Sequence, residues 1–516
     1  MDVPPARDMD RRDARPTTTA GTAVPLHSAR KPQTFRYARG LDVLAALSAM
    51  PQIFPRMKLP RLLPALIVSA ALALAAHSPA AEAHWIAGAA KVDITPDYPV
   101  RLSGYGSRRT EFEGVEQHIF AKALALRAGD GPMAIVLTVD NCGVPGAVRD
   151  EVARRLKAKA GVPDERVALC SSHTHSAPML GGVLSTLFGV DVPADHAAHI
   201  ARYTKETTDK LEQVALAAIA AAQPCDLAWA NGEVGFAMNR RFPTPTGYAN
   251  KPFPEGPTDH ALPVLRVTSA DGKKIVALLT SYACHCTTSG FNRIHGDWAG
   301  CAQEALEREF PGTIALTALG CAGDQNPNPR GTYALAQQHG QTLAAEAQRV
   351  VKGTMQPLSP SLACQMKRFT LPFDTLPTRE EFELHVTSKD SGAYHAKKQL
   401  ERLDRGEKLA TELPYSVQTW SFGNDLTMVF LPGEVVVDYS LRLKRECIGS
   451  KLWVNAYAND VPCYIPSRRV LEEGGYEAAG AMLYYDRPTK LAPQVEEIII
   501  RAVHEILPPY CQRGAK

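Results

Sequence analysis

Short apolar runs rich in β-branched residues alternate with helical patterns along residues 84–516, and Gly, Asn, Asp, His or Ser follows closely after each run. One such run, Arg166–Cys170, leads directly into Ser171-Ser172-His173. Strands that alternate with helices predict an α/β fold, with a mostly parallel or mixed sheet core flanked by helices. In sheets of this kind the ligand binds beyond the carboxyl ends of the strands. The polar residues of this chain stand near these strand ends, so we expect the functional site there.

The pattern predicts the individual elements as follows. The predicted strands are Ala134–Val139, Arg166–Cys170, Ile275–Ala283, Ile314–Leu319, Leu426–Leu431 and Leu452–Val454. The predicted helices are Ala147–Ala160, Ile200–Ala222, Trp298–Phe310, Tyr333–Val351, Val435–Glu446 and Gln494–Ile506. Segment Arg379–Leu413 is highly charged and helical in pattern, which favours a solvated surface hairpin. No linker is evident, so residues 84–516 are predicted to form one domain.

The charge of the chain lies mainly at its N-terminus. Residues 1–83 contain 11 Lys/Arg and 6 Asp/Glu, whereas residues 84–516 contain 46 and 48. The net charge of +3 therefore comes from residues 1–83. Because residues 84–516 carry no excess of basic residues, they give no reason to expect a nucleic-acid partner.

Residues 57–83 have the pattern of a secretory signal peptide. A short basic segment precedes the apolar run Leu62–Ala76, and Ala81-Glu82-Ala83 forms an Ala-x-Ala cleavage site. The run is shorter than the roughly 20 residues that a membrane anchor, the alternative interpretation, requires. Residues 1–56 are interpreted as a disordered leader or a misassigned start. We expect a periplasmic or secreted protein.

Several polar residues at the predicted strand ends are candidate metal ligands. His173 and His175 are two residues apart, so in extended backbone they share a face. His285 follows a second strand and Glu434 follows a third. Taken singly, each has an ordinary structural interpretation. Together, two histidines and a carboxylate are the ligand set of a catalytic zinc ion that keeps a position open for water.

The sequence disfavours other hydrolase and nucleotide chemistries. It contains no GxSxG, HExxH or Walker motif, and no GxGxxG followed by a helix. All 11 cysteines lie in residues 84–516, and their odd number leaves at least one free thiol. We interpret Cys284 and Cys286 as packing residues that flank His285, with a disulfide left open.

Over residues 86–485 the sequence resembles the neutral (non-lysosomal) ceramidases, zinc amidases that hydrolyse the N-acyl bond of ceramide. The residues that carry the resemblance occur in the family's order. They are Ala89–Pro96, His173-Thr174-His175-Ser176-Ala177-Pro178, His285, Gly320-Cys321-Ala322-Gly323-Asp324, Leu431-Pro432-Gly433-Glu434 and Tyr464–Tyr476.

The resemblance implies a set of site residues. It implies a Zn²⁺ ion whose ligands are His173, His285, Glu434 and Tyr464. It implies active-site roles near the scissile amide for His175, Arg240 and Tyr476. Asp324 and Asp297 are candidates for orienting a ligand histidine.

Two departures from the family pattern bear on the expected activity. Asn326 stands where the family has a serine, so a nucleophilic hydroxyl role does not transfer to this position. Only 40 residues follow Tyr476, so we expect the catalytic domain without the family's C-terminal immunoglobulin-like domain.

The first hypothesis is an exported zinc amidohydrolase that cleaves a linear amide, such as the N-acyl bond of ceramide or a related N-acyl lipid. The second keeps the metal and changes the bond, giving an esterase or another hydrolase for a polar envelope compound. The third is a non-catalytic binding protein on the same scaffold. The expected partners are a small-molecule or lipid substrate and, transiently, a membrane surface. The sequence leaves the oligomeric state open.

Overall fold

The computed structural model describes residues 84–388, 392–447 and 451–512. The predicted leader (1–56) and signal peptide (57–83) lie outside the described residues. Within those residues, no helix combines the length and apolar character needed to cross a membrane.

The described residues form nineteen strands and nine α-helices, numbered in chain order. The strands are β1 Trp85–Asp93, β2 Phe120–Ala128, β3 Ala134–Val139, β4 Val167–Ser171, β5 Gln223–Glu233, β6 Ala237–Asn239, β7 Arg241–Thr244, β8 Gly247–Asn250, β9 Ala261–Ser269, β10 Ile275–Tyr282, β11 Ile314–Leu319, β12 Gln325–Pro327, β13 Gln356–Pro357, β14 Leu362–Pro372, β15 Glu412–Phe422, β16 Leu426–Phe430, β17 Glu434–Val435, β18 Leu452–Asn455 and β19 Tyr464–Ile465. The helices are α1 Gly146–Ala160, α2 Ala194–Ala220, α3 Asp297–Glu309, α4 Tyr333–Lys352, α5 Arg379–Val386, α6 Gly392–Asp404, α7 Asp438–Glu446, α8 Arg468–Glu473 and α9 Val495–Ile506.

The large sheet is mixed and mainly antiparallel. Its strand order is β11-β10-β9-β5-β1-β2-β3-β4, with β13 paired to β5. Only the edge pairs β10/β11 and β3/β4 are parallel, and each is joined through a helix, α3 or α1. The other neighbours pair antiparallel. The mixed sheet is thus confirmed, but the mostly parallel alternative is wrong, because β-α-β units occur only at the two edges.

A second sheet, which the sequence reasoning did not predict, packs on the large one. It has the order β14-β15-β16-β18. Side chains of successive residues in β3 point to opposite faces, so Val136 packs with Trp420 and Phe430 of the second sheet. Ile135 instead belongs to the cluster that contains Val152 of α1. The strands are therefore buried on both faces, which explains their continuous apolar sequences.

Helices cover the outer faces of both sheets. Val417 and Val429, on the outer face of the second sheet, belong to the cluster that contains Ile499 and Val503 of α9. The layers are therefore helix, sheet, sheet and helix. The predicted charged hairpin at Arg379–Leu413 corresponds to α5 and α6, although Glu412 and Leu413 already belong to β15.

The two edges of the large sheet come together at their carboxyl ends. Ala456 N donates to Leu319 O of β11 at 2.9 Å, and Asn459 N donates to Leu169 O of β4 at 2.7 Å. Segment 456–459 thus bonds to both edge strands. This brings the loops after β4 and β10 together, although many strands separate them in the sheet.

Candidate metal centre

His173 and His285 stand in the loops that follow β4 and β10. These loops pair directly, because Thr174 forms a parallel bridge with Cys286 and His175 N donates to Cys286 O at 3.2 Å. His173 has a φ of +54°, a left-handed conformation that costs about 1–3 kcal/mol for a non-glycine residue. Such strain is concentrated at functional sites, where the surrounding structure enforces it.

Glu434 and Tyr464 reach the same place from a separate pair of short strands. Strands β17 and β19 are parallel, and Glu434 is the register partner of Tyr464. Glu434 begins a new strand after a turn at Gly433, and the helix predicted from Val435 starts only at Asp438. The reason is that residues 434–435 pair with β19 before the helix begins.

Both histidines present an unprotonated nitrogen to one point. His285 Nδ1 donates to Ala322 O at 2.7 Å, and His173 Nδ1 donates to Cys142 O. A donating Nδ1 fixes the neutral tautomer whose lone pair is on Nε2. Each Nε2 faces Glu434 Oε2, at 3.3 Å for His173 and 3.1 Å for His285.

These distances fit a divalent cation. Zinc bonds of 2.0–2.2 Å in a tetrahedral arrangement place two ligand atoms about 3.3 Å apart. The donor atoms of His173, His285 and Glu434 lie within 4.8 Å of one another. Glu434 Oε2 is buried and has no hydrogen-bond partner among the described residues. A buried carboxylate oxygen without a donor, aimed at two imidazole lone pairs, fits a metal ligand.

The surroundings of Glu434 favour its ionised form. Burial alone would raise the pKa of Glu434, but the contacts of its carboxylate with His173 and His285 outweigh burial and hold that pKa well below the usual range. Burial and the neighbouring Arg240 lower the pKa of His285 to about 4, so this imidazole is neutral.

Tyr464 and Arg240 lie beside these three residues. Tyr464 Oη lies 3.4 Å from His285 Nε2 and accepts a hydrogen bond of 2.9 Å from Arg240 Nη2. Arg240 Nη1 lies 3.2 Å from the same His285 nitrogen. The structure therefore brings together the four predicted ligands, and it places the buried guanidinium of Arg240 against two of them.

Arg240 and its neighbour Arg241 differ in surroundings. Arg240 Nε donates to Glu477 Oε1 at 2.8 Å, and Arg241 Nη1 donates to Glu477 Oε2 at 2.6 Å. Arg241 Nη2 points elsewhere, to Glu473 and the Gly474 carbonyl. Of Arg240 and Arg241, only Arg240 contacts the candidate ligands. Arg240 is also the residue that the family resemblance implied.

His175 faces the same point. Its Nε2 lies 2.9 Å from His173 Nε2, and its buried Nδ1 has no partner among the described residues. Burial, together with His173 and His285, holds the pKa of His175 well below its usual value. Neither nitrogen of His175 is hydrogen-bonded to a carbonyl, so no carbonyl fixes the tautomer of this imidazole.

Tyr476 and Asn326 lie at the edge of the site. Tyr476 is 40% exposed, and its ring centroid lies 5.4 Å from that of Tyr464. Asn326 Oδ1 accepts from Arg240 Nη1 at 3.1 Å, and its Nδ2 donates to Asn250 Oδ1 at 3.1 Å. Asn326 therefore joins Arg240 to the β7–β8 hairpin.

The predicted orienting role of Asp324 and Asp297 is wrong. Asp324 accepts from Val437 N and Asn239 Nδ2, and Asp297 accepts from Ser289 N and Trp298 N. The carbonyls of Ala322 and Cys142 orient the histidines instead. A backbone carbonyl has no signature in the sequence, so this could not be predicted.

Two further site residues were missed. Tyr485 donates to Glu434 Oε1 and Glu477 binds Arg240. The Tyr457 ring only packs beside His173, with the ring centroids 4.5 Å apart. Only the proximity of Tyr485 and Glu477 to Tyr476 in the sequence could have drawn attention to them. All eleven cysteines are free thiols, and Cys284 and Cys286 are buried packing residues as predicted.

Comparison with known proteins shows the family of this chain. A family model described as neutral/alkaline non-lysosomal ceramidase, N-terminal, matches residues 85–361, more than half of the chain. The chain belongs to the neutral/alkaline non-lysosomal ceramidase family. The predicted resemblance is thereby confirmed. His173 and His285 lie within the part that matches the ceramidase model, whereas Glu434 and Tyr464 follow it.

Two curated ceramidases resemble part of the chain. The neutral ceramidase of Drosophila pseudoobscura pseudoobscura is 25% identical over 288 residues, covering 51% of this chain and 39% of that protein. The neutral ceramidase of Drosophila melanogaster is 26% identical over 267 residues, covering 47% and 36%. The match thus spans less than two fifths of either relative.

Solved ceramidase structures share the fold. The neutral ceramidase from Pseudomonas aeruginosa aligns with a TM-score of 0.62 at 21% identity, over 84% of this chain and 76% of that chain. A structure described as a ceramidase complexed with C2 gives the same TM-score at 20% identity, over 84% and 77%. The common fold therefore extends well beyond residue 361.

Proposed function

We propose that this protein is an exported, zinc-dependent amidohydrolase that cleaves a linear amide, with the N-acyl bond of ceramide or a related N-acyl lipid as its substrate. The observation that carries the proposal is the convergence of His173 Nε2, His285 Nε2 and the unpartnered Glu434 Oε2 within 4.8 Å. Tyr464 completes the proposed ligand set. The curated relatives of the chain are named neutral ceramidases, which supports the choice of substrate.

A bound zinc ion would supply Lewis-acid chemistry, polarising a carbonyl and lowering the pKa of water to about 7. The protein residues would transfer protons and stabilise the developing negative charge. His175, whose nitrogens are free of carbonyl contacts, takes a proton from the attacking water and passes it to the departing amine. The products are a carboxylic acid and an amine. The water molecule supplies the hydroxyl group of the acid and one hydrogen of the amine.

Arg240 is placed to stabilise negative charge on the carbonyl oxygen. Its guanidinium is held by Glu477 and Asn326 before substrate arrives, so it needs little reorganisation during the reaction. Tyr476, half exposed beside Tyr464, would donate a hydrogen bond from the mouth of the site. Asn326 acts by holding Arg240, and the proposal assigns no nucleophile to this position.

Turnover of a fluorescent N-acyl-sphingosine by the purified full chain tests the proposal. We expect hydrolysis that stops on addition of a chelator and returns on addition of zinc, and that is lost in His173→Ala and His285→Ala. His118→Ala is the control, since His118 is exposed and pairs with Asp93. Turnover that survives the chelator would refute the zinc mechanism. Faster cleavage of the matching ester would favour the esterase alternative.

A further inference from the structure

Glu434 is held by a residue that comes from a distant part of the chain. Tyr485, at the end of the 3₁₀ turn Met482–Tyr485, donates its hydroxyl hydrogen to Glu434 Oε1. The side chain of Tyr485 is buried, with 4% of its surface exposed. A hydroxyl and a carboxylate that meet in the interior form a strong, charge-assisted hydrogen bond.

Because of this hydrogen bond, the two oxygens of the Glu434 carboxylate have different surroundings. Oε1 is engaged by Tyr485, whereas Oε2 has no hydrogen-bond donor and faces the two histidine Nε2 atoms. Among the described residues, no other hydroxyl or amide donates to the Glu434 side chain. Removing the Tyr485 hydroxyl would leave the carboxylate free to turn about its last side-chain bond.

We propose that Tyr485 is a positioning residue that fixes Glu434 for metal binding. The inference rests on the proposed function, because it takes Glu434 as a ligand of the zinc ion. Partners that orient a ligating side chain typically change metal affinity 10- to 100-fold when they are removed. Tyr485 would orient the Glu434 carboxylate, just as the Ala322 and Cys142 carbonyls orient the two histidines.

The test compares zinc affinity in Tyr485→Phe and Tyr457→Phe, measured by competition with a chromophoric chelator. Tyr457 is the matched control, since its ring packs on His173 while its buried hydroxyl has no partner among the described residues. We expect about 10- to 100-fold weaker binding in Tyr485→Phe and a near-unchanged affinity in Tyr457→Phe. Equal affinities in Tyr485→Phe and the unchanged protein would overturn the inference.

A double-mutant cycle separates positioning from a general loss of structure. Glu434→Gln weakens zinc binding by removing the charged ligand, and adding Tyr485→Phe to it should cause little further loss. A positioning role predicts this non-additivity, whereas fully additive losses would contradict it. If the unchanged protein binds no zinc, the proposed function fails. Zinc binding that is unaffected by Tyr485→Phe refutes the positioning role alone.

Discussion

At the scale of single residues, Glu477 is the counter-ion of two buried arginines. Its two oxygens accept from Arg240 and Arg241, and 3% of its surface is exposed. Glu477→Gln would leave two buried cations without their shared negative charge. We expect a loss of about 3–5 kcal/mol in the free energy of unfolding, measured by urea denaturation.

The control lies on the preceding helix. Glu472 pairs with Arg468 on the surface of α8, where solvent screens both charges. Glu472→Gln should therefore change the urea midpoint far less than Glu477→Gln. Equal effects of the two substitutions would show that the buried cluster adds nothing to stability.

The candidate ligands were accessible to sequence reasoning, and their supporting contacts were not. His173 and His285 stand directly after apolar strands, and this local pattern drew attention to them. Tyr464 came only from the family resemblance, since a tyrosine at a strand start has no metal signature. The contact of Tyr485 with Glu434 joins residues 51 positions apart in the sequence, and no local pattern encodes it.

At the scale of secondary-structure elements, the turn between β16 and β17 sets the position of Glu434. Gly433 has a φ of +86°, and a Cβ there would lie 2.7 Å from the Cys463 carbonyl oxygen. Gly433→Ala must therefore strain the backbone and push β17 away from β19. We expect it to destabilise the protein by roughly 2–4 kcal/mol in urea denaturation and to weaken zinc binding.

Gly161 provides the comparison. It also has a positive φ, +66°, at the end of α1, but a Cβ there would meet nothing within 4 Å. Gly161→Ala should lower the free energy of unfolding only by the strain of a left-handed alanine backbone, about 1–2 kcal/mol, and should leave zinc binding intact. If Gly433→Ala behaves like Gly161→Ala, the close approach at β17 is not important for the site.

The elements were better predicted than their pairing. Helix α1 and strands β3 and β11 were placed within a residue of their observed bounds, because apolar periodicity is a local property. Strand direction depends on which distant segments pair. That is why the mainly antiparallel pairing was missed, and why β16 and β18, although predicted as strands, were not assigned to a second sheet.

At the scale of the whole molecule, partly buried ion pairs set the acid limit of stability. Burial alone would raise the pKa of Asp259 and Glu307, but Lys444 beside Asp259, and Lys122 and Lys91 beside Glu307, lower both. A carboxyl whose pKa is lower in the folded state contributes stability above its unfolded pKa, near 4, and loses it as the pH falls through the folded value. We expect the free energy of unfolding to fall steeply below about pH 4.

The contribution of one pair can be isolated. Asp259→Asn removes the charge that Lys444 and Ser440 contact. It should be less stable than the unchanged protein at pH 7, and the difference should shrink as the pH falls below about 4. A difference that stays constant down to pH 2, measured by urea denaturation at each pH, would contradict this assignment.

In the proposed centre, the loops after β4 and β10 and the β17–β19 pair hold His173, His285, Glu434 and Tyr464 around one zinc ion. The most direct test is the zinc content of the purified, zinc-loaded and dialysed protein, measured by inductively coupled plasma mass spectrometry. We predict about one zinc ion per chain, and almost none in His285→Ala or Glu434→Ala. A protein without zinc, or variants that retain it in full, would contradict the claim.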